Sequence, residues 1–398
     1  MALESRIRVE ELTANWPHYD EDEISAVLRV LQSGKVNYWT GQEGRLFEKE
    51  FASFAGTKHA VAMANGTVTL ECLLRSLNLK SGDEVIVTPR SFIASASSVV
   101  MQGGKPVFAD VDHTSGNLSA QTIEPRISSR TKAIIVVHLA GWPAEMDPIM
   151  DLAISHDLFV IEDCAQAHGA KYRGKSVGSL GHAGSWSFCQ DKIISTVGEG
   201  GMITTNDSVL WSKCWSLKDH GKSFDAVYNK VHPVGFRWLH ESIGTNWRLP
   251  EVQSAVGRIQ LTKLADWTQK RTNHARILSD TLIDLSLVRT EVPPAHMSHA
   301  YYKYYCYLNQ VALRDGWNRE RILETISSYG VPAFSGSCSE IYNEVAFKSL
   351  GIRSEESCKV AHELGETSMM FLVHPTLTSS KMTRCAEIIR SVLKEATR

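Results

Sequence analysis

Hydrophobic positions recur with helical spacing in several parts of the 398-residue chain. Near the start, Ile24, Val27, Leu28 and Leu31 lie on one helical face, and the Gly after Ser33 is a typical helix end. The same criterion predicts six helices, over 20–31, 45–54, 68–77, 261–285, 318–329 and 381–396.

Short apolar runs without alternation lie between the first helices and residue 161. They are EVIVT (84–88), PVFA (106–109), AIIVV (133–137) and LFVI (158–161), and each is bounded by Gly, Pro or Asp and followed by a helix-like segment. Such runs are typical of strands buried on both faces of a parallel sheet. We therefore expect an α/β fold with right-handed crossovers and a ligand site at the carboxyl ends of the strands.

The pattern changes beyond about residue 265. A long helix is followed by the aromatic run 301–307, which predicts a strand, and then by further helices. The length allows two or three domains. We expect a large domain over 1–265, with an N-terminal helical segment and a mostly parallel mixed sheet, and a smaller α+β domain over 266–398.

Composition excludes several classes of protein. The formal charge is −2, with 43% hydrophobic and 22% charged residues, which argues against disorder and against a nucleic-acid partner. No apolar stretch is long enough for a membrane span, and residues 1–17 lack the apolar core of a signal peptide. We expect a cytoplasmic protein whose eight scattered cysteines are reduced thiols, and no metal site.

The stretch 184–204, GSWSFCQDKIISTVGEGGMIT, contains a lysine in an unusual context. Lys192 lies between a Ser-aromatic pair and three glycines, and Ile193 and Ile194 follow it directly. A surface lysine before a tight hairpin is one interpretation. Partial desolvation by the isoleucines favours the other, since it makes the neutral, nucleophilic amine available for Schiff-base chemistry.

Acidic and amide side chains follow the strand LFVI. Asp163 at the end of a buried strand is costly without a partner, so it either caps a following helix or pairs with a protonated ring nitrogen. Gln166, three residues later, is placed to reach the same pocket.

Two further turns follow apolar segments. The turn 64–69 (ANGTVT) opens a helix, where backbone N–H groups and a Thr hydroxyl form an anion site or a plain helix cap. Phe92, after the EVIVT strand, is either a core residue or an aromatic plate for a flat ligand. A phosphate site, a plate, a carboxylate and a lysine together are what pyridoxal 5′-phosphate (PLP) requires.

The chain resembles the DegT/DnrJ/EryC1/StrS family of sugar aminotransferases, which have the fold of aspartate aminotransferase (PLP-dependent transferase fold type I). The resemblance extends over nearly the whole chain. It rests on the motifs SGKVNYWTGQEGRLFEKEFASFAG (33–56), ANGT, TPRSFIAS, HLAGWPAEMD (138–147), EDCAQAHGA, SFCQDKIISTVGEGG, LKDHGK (217–222) and GTNWRLPEVQSAVGRIQL (244–261).

The resemblance implies a role for each matching residue. Lys192 would hold PLP as a Schiff base and move the proton, and Asp163 would pair with the pyridine nitrogen. The other cofactor-binding residues would be Gly66, Thr67 and Ser187 at the phosphate, Phe92 on the ring, Gln166 near the phenolic oxygen, and Asn246 at the phosphate of the neighbouring subunit's cofactor. The active unit would then be a homodimer with shared sites.

The resemblance also implies a reaction. L-glutamate would leave its amino group on the cofactor as pyridoxamine 5′-phosphate, with 2-oxoglutarate as product, and a keto-sugar would accept it to give an amino sugar for surface polysaccharide or lipopolysaccharide. Relatives that act as sugar dehydratases carry histidine at the position of Lys192, so we favour amino transfer over dehydration. A PLP-containing regulator is disfavoured because the family match leaves no room for a DNA-binding module.

The identity of the sugar stays open. Most relatives act on keto nucleotide-hexoses, and a less common branch aminates the 8-oxo form of Kdo to make 8-amino-3,8-dideoxy-manno-octulosonate (Kdo8N). The segment 224–241 and the aromatic run 301–307 are candidates for shaping specificity. Within 224–241, His232, Arg237, Trp238 and His240 either address an acidic substrate or belong to an ordinary solvated loop.

Overall fold

The computed structural model describes residues 12–352 and 358–398. Residues 1–11, part of the segment examined for a signal peptide, lie outside this range. The helices are α1 Glu21–Ser33, α2 Glu43–Ala55, α3 Gly66–Ser76, α4 Ala94–Met101, α5 Ala120–Ile123, α6 Met146–Ser155, α7 Ser208–Lys218, α8 Phe224–Tyr228, α9 Glu251–Leu282, α10 Arg319–Ser328, α11 Val345–Ser349, α12 Lys359–Thr367 and α13 Ser379–Ala396.

The strands are mostly short. They are β1 His59–Met63, β2 Glu84–Val87, β3 Lys105–Phe108, β4 Thr131–Val137, β5 Phe159–Asp163, β6 Lys171–Tyr172, β7 Lys175–Ser176, β8 Ala183–Ser187, β9 Gly201–Thr205, β10 Val288–Thr290, β11 Met297–Ser298, β12 Tyr304–Leu308, β13 Ala333–Phe334 and β14 Ser368–Phe371.

A seven-stranded sheet in the order β1-β9-β8-β5-β4-β2-β3 forms the centre of the fold. The pairs β2–β3, β2–β4, β4–β5 and β5–β8 are parallel, whereas β9 is antiparallel to both of its neighbours. The strands β2, β4 and β8 are almost entirely buried, as expected for a sheet covered by helices on both faces. The predicted α/β fold with a mostly parallel mixed sheet is confirmed.

All six predicted helices and all four predicted strands of the central sheet are present. In α1 the backbone N–H of Asp20 donates to Glu23 over 2.9 Å, and Gly34 ends the helix with a φ of 65°. The long helix α9 begins at Glu251, ten residues before the predicted start. The strands β1, β8 and β9 were not predicted, since small and polar residues interrupt their apolar positions.

The C-terminal part builds a second, four-stranded antiparallel sheet in the order β10-β12-β14-β13. Its apolar face packs with α10 and α13, and Leu12 of the N-terminal segment joins this core. The helix α9 packs against α1 and α2 and also against α13, so it runs through residue 265 and connects the two sheets. The domain division at 265 stays a prediction.

The sequence also predicts no membrane-spanning segment and reduced cysteines. Within 12–352 and 358–398, no helix combines the length and the apolar character needed to cross a membrane. All eight cysteines lie in these ranges and are free thiols, as expected. Six of them are buried, and Cys338 is exposed.

Candidate active site

The predicted site residues follow four strands whose carboxyl ends meet at one edge of the central sheet. The turn 64–69 follows β1, the segment 88–92 follows β2, Asp163 ends β5, and the loop 188–200 follows β8. The strand β9 enters this edge from the opposite direction and returns the chain from the loop. The fold therefore brings residues from distant parts of the sequence to the edge where parallel sheets bind ligands.

Gly66 lies directly against Ser187. Gly201 pairs with Met63 of β1 and with Ser187 of β8, which brings the end of β1 next to β8. A Cβ atom at Gly66 would lie 2.6 Å from the Cβ of Ser187, so only glycine fits here.

The turn at Gly66 also opens α3. The Asn65 side chain accepts a hydrogen bond of 3.0 Å from the N–H of Val68, so the helix-cap interpretation is correct. The first backbone bond of the helix runs from Thr69 to Asn65, which leaves the N–H groups of Gly66 and Thr67 free of helix partners. The cap and an anion site are thus compatible.

Asp163 is a buried carboxylate held by neutral donors. The hydroxyl of Ser95 donates to its Oδ2 over 2.8 Å, and the N–H of Ala165 donates to its Oδ1 over 3.2 Å. Burial raises the pKa of Asp163, while the Ser95 hydrogen bond and the charge of Lys192 act in the opposite direction. A turn, not a helix, follows Asp163, so the helix-cap alternative is wrong.

The preceding residue, Glu162, connects the end of β5, which carries Asp163, to two neighbouring loops. Its buried carboxylate accepts hydrogen bonds from the N–H groups of Gly178, Leu180 and Gly181 and pairs with Nε2 of His138 at 3.0 Å. Because Nδ1 of His138 accepts from the N–H of Ala144, the proton of this ring belongs on Nε2. This network orders the loop after β4.

Gln166 contacts the same loop. Its Oε1 accepts a 2.7 Å hydrogen bond from the N–H of Ala140, whose φ is 56°. The amide nitrogen of Gln166 has no hydrogen-bond partner among the residues that the structure describes. One donor of a nearly buried side chain therefore stays available to a ligand.

Phe92, in the segment that follows β2, projects into solvent. It is 66% exposed, although the residues on both sides of it are wholly or partly buried. The core interpretation of Phe92 is therefore wrong. A large aromatic ring exposed at the mouth of a sheet is what a ligand-stacking residue requires.

Lys192 lies half-buried in the loop between β8 and β9, and Ile193 and Ile194 beside it are fully buried. The indole N–H of Trp16 donates to the backbone oxygen of Lys192 over 2.9 Å. Its Nζ lies 5.0 Å from the ring centroid of Tyr302 and makes no hydrogen bond or ion pair with any described residue. The amine is thus positioned by packing, and no carboxylate neutralises it directly.

The hydroxyl of Tyr302 donates to Asp191, the residue before Lys192. Burial is the main reason that the pKa of Tyr302 is raised, so this hydroxyl keeps its proton. Sequence reasoning missed Ser95, Tyr302 and Asp191 as members of the site. The motifs TPRSFIAS and CQDK contain two of them, but only the fold brings Tyr302 to Lys192.

Asn246 lies apart from these groups on an exposed segment. It pairs with Asp219 in an isolated bridge, and the backbone oxygen of its neighbour Trp247 accepts from the N–H of Ala64 over 2.9 Å. Asn246 therefore flanks the end of β1, with its side chain at the surface.

These groups fit PLP. A buried carboxylate without an ion-pair partner suits a protonated ring nitrogen, and a glycine turn with free N–H groups suits a phosphate. An exposed phenylalanine suits the ring face, and an amine without a hydrogen-bond partner suits the aldehyde.

Comparisons with known proteins agree with this fit. The DegT/DnrJ/EryC1/StrS aminotransferase family matches residues 17–390. The chain is 33% identical over 394 residues to the UDP-N-acetyl-3-dehydro-alpha-D-glucosamine 3-aminotransferase of Acidithiobacillus ferrooxidans, covering 99% of this chain and 100% of that protein.

Two solved structures are similar over nearly the whole chain. The aminotransferase from Psychrobacter cryohalolentis is 53% identical with a TM-score of 0.94, covering 96% of this chain and 99% of that one. The S. venezuelae protein DesV, solved in complex with a ketimine intermediate, is 28% identical with a TM-score of 0.83, covering 94% and 95%.

Proposed function

Because the chain belongs to the DegT/DnrJ/EryC1/StrS aminotransferase family and is a PLP-dependent sugar aminotransferase, we propose that Lys192 and Asp163 are its catalytic residues. The observation that carries this proposal is that a carboxylate and an amine, each without a partner of opposite charge, lie at the same edge of the central sheet. Asp163 is a buried carboxylate without an ion-pair partner, and Lys192 has an amine without a hydrogen-bond partner among the described residues.

Bound PLP supplies an aldehyde for amines and a ring that takes up the electrons released when a neighbouring C–H bond breaks. Asp163 would stabilise a positive charge at the ring nitrogen, and the hydrogen bond from the Ser95 hydroxyl lowers the pKa of this carboxylate against the effect of burial. Lys192 would hold the cofactor through its aldehyde and would hold and move the proton at the amine-bearing carbon of the substrate.

The remaining residues hold the cofactor in position. Gly66, Thr67 and Ser187 bind the phosphate through backbone N–H and hydroxyl groups, as their close approach supports. Phe92 would stack on the ring, and the amide nitrogen of Gln166 would donate to the phenolic oxygen.

We further propose L-glutamate as the amino donor and a keto nucleotide-sugar as the acceptor, with 2-oxoglutarate and an amino sugar as products. The similarity to the UDP-sugar 3-aminotransferase over the full length of both chains supports a nucleotide-linked acceptor. Lysine at position 192 supports amino transfer rather than sugar dehydration. The free thiols fit a cytoplasmic enzyme.

A second copy of the chain is needed for the phosphate site that the family resemblance assigns to Asn246. Large apolar side chains protrude from the segment that leads to Asn246, and they are Val231, Val234, Phe236, Trp238 and Ile243. Such a row of exposed apolar side chains is typical of an interface. We propose that this segment, residues 231–243, packs on a second protomer in a homodimer, so that Asn246 reaches the partner's cofactor.

The decisive experiment incubates purified enzyme, PLP and L-glutamate with a panel of keto-sugars and identifies aminated products by mass spectrometry. The panel contains nucleotide-linked and free 3-keto and 4-keto hexoses and the 8-oxo form of Kdo. We expect an amino nucleotide-sugar from the wild type and from Lys171→Ala, an exposed lysine, and none from Lys192→Ala. Amination of only the Kdo derivative would contradict the nucleotide requirement, and turnover by Lys192→Ala would contradict the role of Lys192.

A further inference from the structure

A second lysine shares the Tyr302 ring with Lys192. The Nζ of Lys303 lies 4.7 Å from the ring centroid, and that of Lys192 lies 5.0 Å from it. The side chain of Lys303 is 16% exposed, so it is mostly buried but not closed off from solvent. The two cations therefore lie in the same part of the site.

Lys303 is incompletely neutralised by the residues around it. Its one ion pair among the described residues is with Asp191, at 4.0 Å, which is too long for a hydrogen bond. The same carboxylate already accepts the hydroxyl of Tyr302. The pKa of Lys303 is lowered to about 8, mainly by burial and also by the nearby charges of Arg271 and Lys192, while the charge of Asp191 acts in the opposite direction.

Arg271 adds a third cation to this part of the site. It is 1% exposed, and its Nη1 donates to the backbone oxygen of Tyr302 over 3.2 Å. Its Nε and Nη2 have no hydrogen-bond partner within the described part of the chain. Burial lowers the pKa of Arg271 to about 9, so it is protonated at neutral pH.

His374, which lies near Arg271 and Lys303, adds no positive charge to this part of the site. Burial lowers the pKa of His374 to about 3, so its ring is neutral. Lys303 and Arg271 thus lie near Lys192, and among the described residues the long contact with Asp191 is the one ion pair that any of these three side chains makes. Such an excess of buried positive charge is unfavourable unless a bound anion offsets it.

We propose that Lys303 binds a carboxylate group of a substrate next to Lys192, with Arg271 strengthening the positive potential. This inference rests on the proposed aminotransferase function and adds a binding residue to it. A flexible ammonium group with no hydrogen bond is suited to a carboxylate. The carboxylate belongs either to the amino donor or to an acidic keto-sugar, and the two half-reactions distinguish these sources.

The test measures each half-reaction with the PLP-loaded enzyme by stopped-flow absorbance of the cofactor. One arm titrates L-glutamate against the PLP form. The other titrates two nucleotide-sugars against the pyridoxamine form. One is a 3-keto UDP-N-acetylhexosamine whose hexose carries no charge, called the neutral sugar below, and the other is its C6-carboxylate counterpart. The variants are Lys303→Met, which removes the charge at similar volume, Lys303→Arg, which keeps it, and Lys171→Met as an exposed control.

For Lys303→Met we expect the Kd of L-glutamate, or of the C6-carboxylate sugar, to rise by about 10- to 100-fold, as for the loss of one charge-assisted hydrogen bond. The neutral sugar keeps its Kd, Lys303→Arg recovers part of the affinity, and Lys171→Met matches the wild type. Unchanged cofactor absorbance and melting temperature show that the variants are folded and loaded.

Two results overturn the inference while leaving the proposed function intact. In one, Lys303→Met binds all three ligands within about twofold of a wild type that completes both half-reactions. In the other, the neutral sugar loses as much affinity as its carboxylate counterpart. If no amino donor converts the PLP form of the wild type to the pyridoxamine form, the proposed function itself is refuted, and the inference with it.

Discussion

The hydroxyl of Ser95 donates a 2.8 Å hydrogen bond to Oδ2 of Asp163, and this bond crosses from α4 to the end of β5. It connects a neutral side chain to the one buried carboxylate that we assign to the cofactor ring. Since burial raises the pKa of Asp163 and this bond lowers it, Ser95 controls how readily Asp163 stays ionised.

Replacing Ser95 by alanine therefore weakens cofactor binding. We expect Ser95→Ala to raise the Kd of PLP by about tenfold, because one hydrogen bond to an ionised group is lost. Absorbance titration of the apoenzyme with PLP measures this change. Ser97→Ala on the same helix is the control, since the Ser97 side chain makes no hydrogen bond with the described residues. Equal Kd values for the two variants would refute the role of Ser95.

A methyl group at Gly66 would displace the phosphate turn. Its Cβ would lie 2.6 Å from that of Ser187, so Gly66→Ala should destabilise the apoenzyme by about 1–3 kcal/mol, as overpacking does in buried sites. Urea unfolding of the apoenzyme measures the loss.

Combining this change with Ser187→Gly separates the steric cause from others. In the Ser187→Gly background, Gly66→Ala should cost less stability than it does in the wild type, because the contact with the Ser187 Cβ is gone and only the 3.1 Å contact with the Cα stays. The double variant should still bind PLP poorly, since the Ser187 hydroxyl is missing. Strictly additive losses of stability would contradict the steric account.

Acid weakens the fold through buried neutral histidines. The ring of His168 is fully buried among Trp186 and Phe188, and burial lowers its pKa to about 3, as it does for His374. The unfolded chain takes up protons at these rings near pH 6.5 and the folded chain does not. The contribution of these rings to the free energy of unfolding is therefore fully present above pH 6.5. It falls as the pH drops toward 3, by about 1.4 kcal/mol per pH unit for each ring.

The variant His374→Gln tests this pH dependence. Its free energy of unfolding should fall less steeply than that of the wild type between pH 6.5 and 5.5, whereas the exposed control His156→Gln should follow the wild type. Urea unfolding of the apoenzyme at both pH values gives the slopes. Identical slopes for wild type and His374→Gln would show that His374 does not remain neutral in the fold.

Six of the helices and four strands of the central sheet could be predicted, because each has its own signal in the local sequence. The helix α1 has its capping pair and its terminal glycine within the segment, and β4 is an unbroken apolar run. The strand β8, with the sequence AGSWS, carries no such signal. It is a strand because its neighbours β5 and β9 pair with it, which only the complete fold determines.

The site divides in the same way. Asp163 and Lys192 could be singled out because each breaks a local expectation, an acid at the end of a buried strand and a lysine before buried isoleucines. Tyr302 contacts the loop of Lys192 from 111 residues away, through Asp191. Lys303 was hidden in a run of tyrosines that predicts a strand, and its position beside Lys192 follows only from the three-dimensional arrangement.

The catalytic role of Lys192 requires that its amine, and no other, carries the cofactor. Borohydride reduction of the PLP-loaded enzyme, followed by peptide mass spectrometry, identifies that lysine. We predict a phosphopyridoxyl group on Lys192 in the wild type and its complete absence in Lys192→Ala, although Lys303 contacts the same tyrosine ring. A label on Lys303 in the wild type, or no label on Lys192, would contradict the central claim.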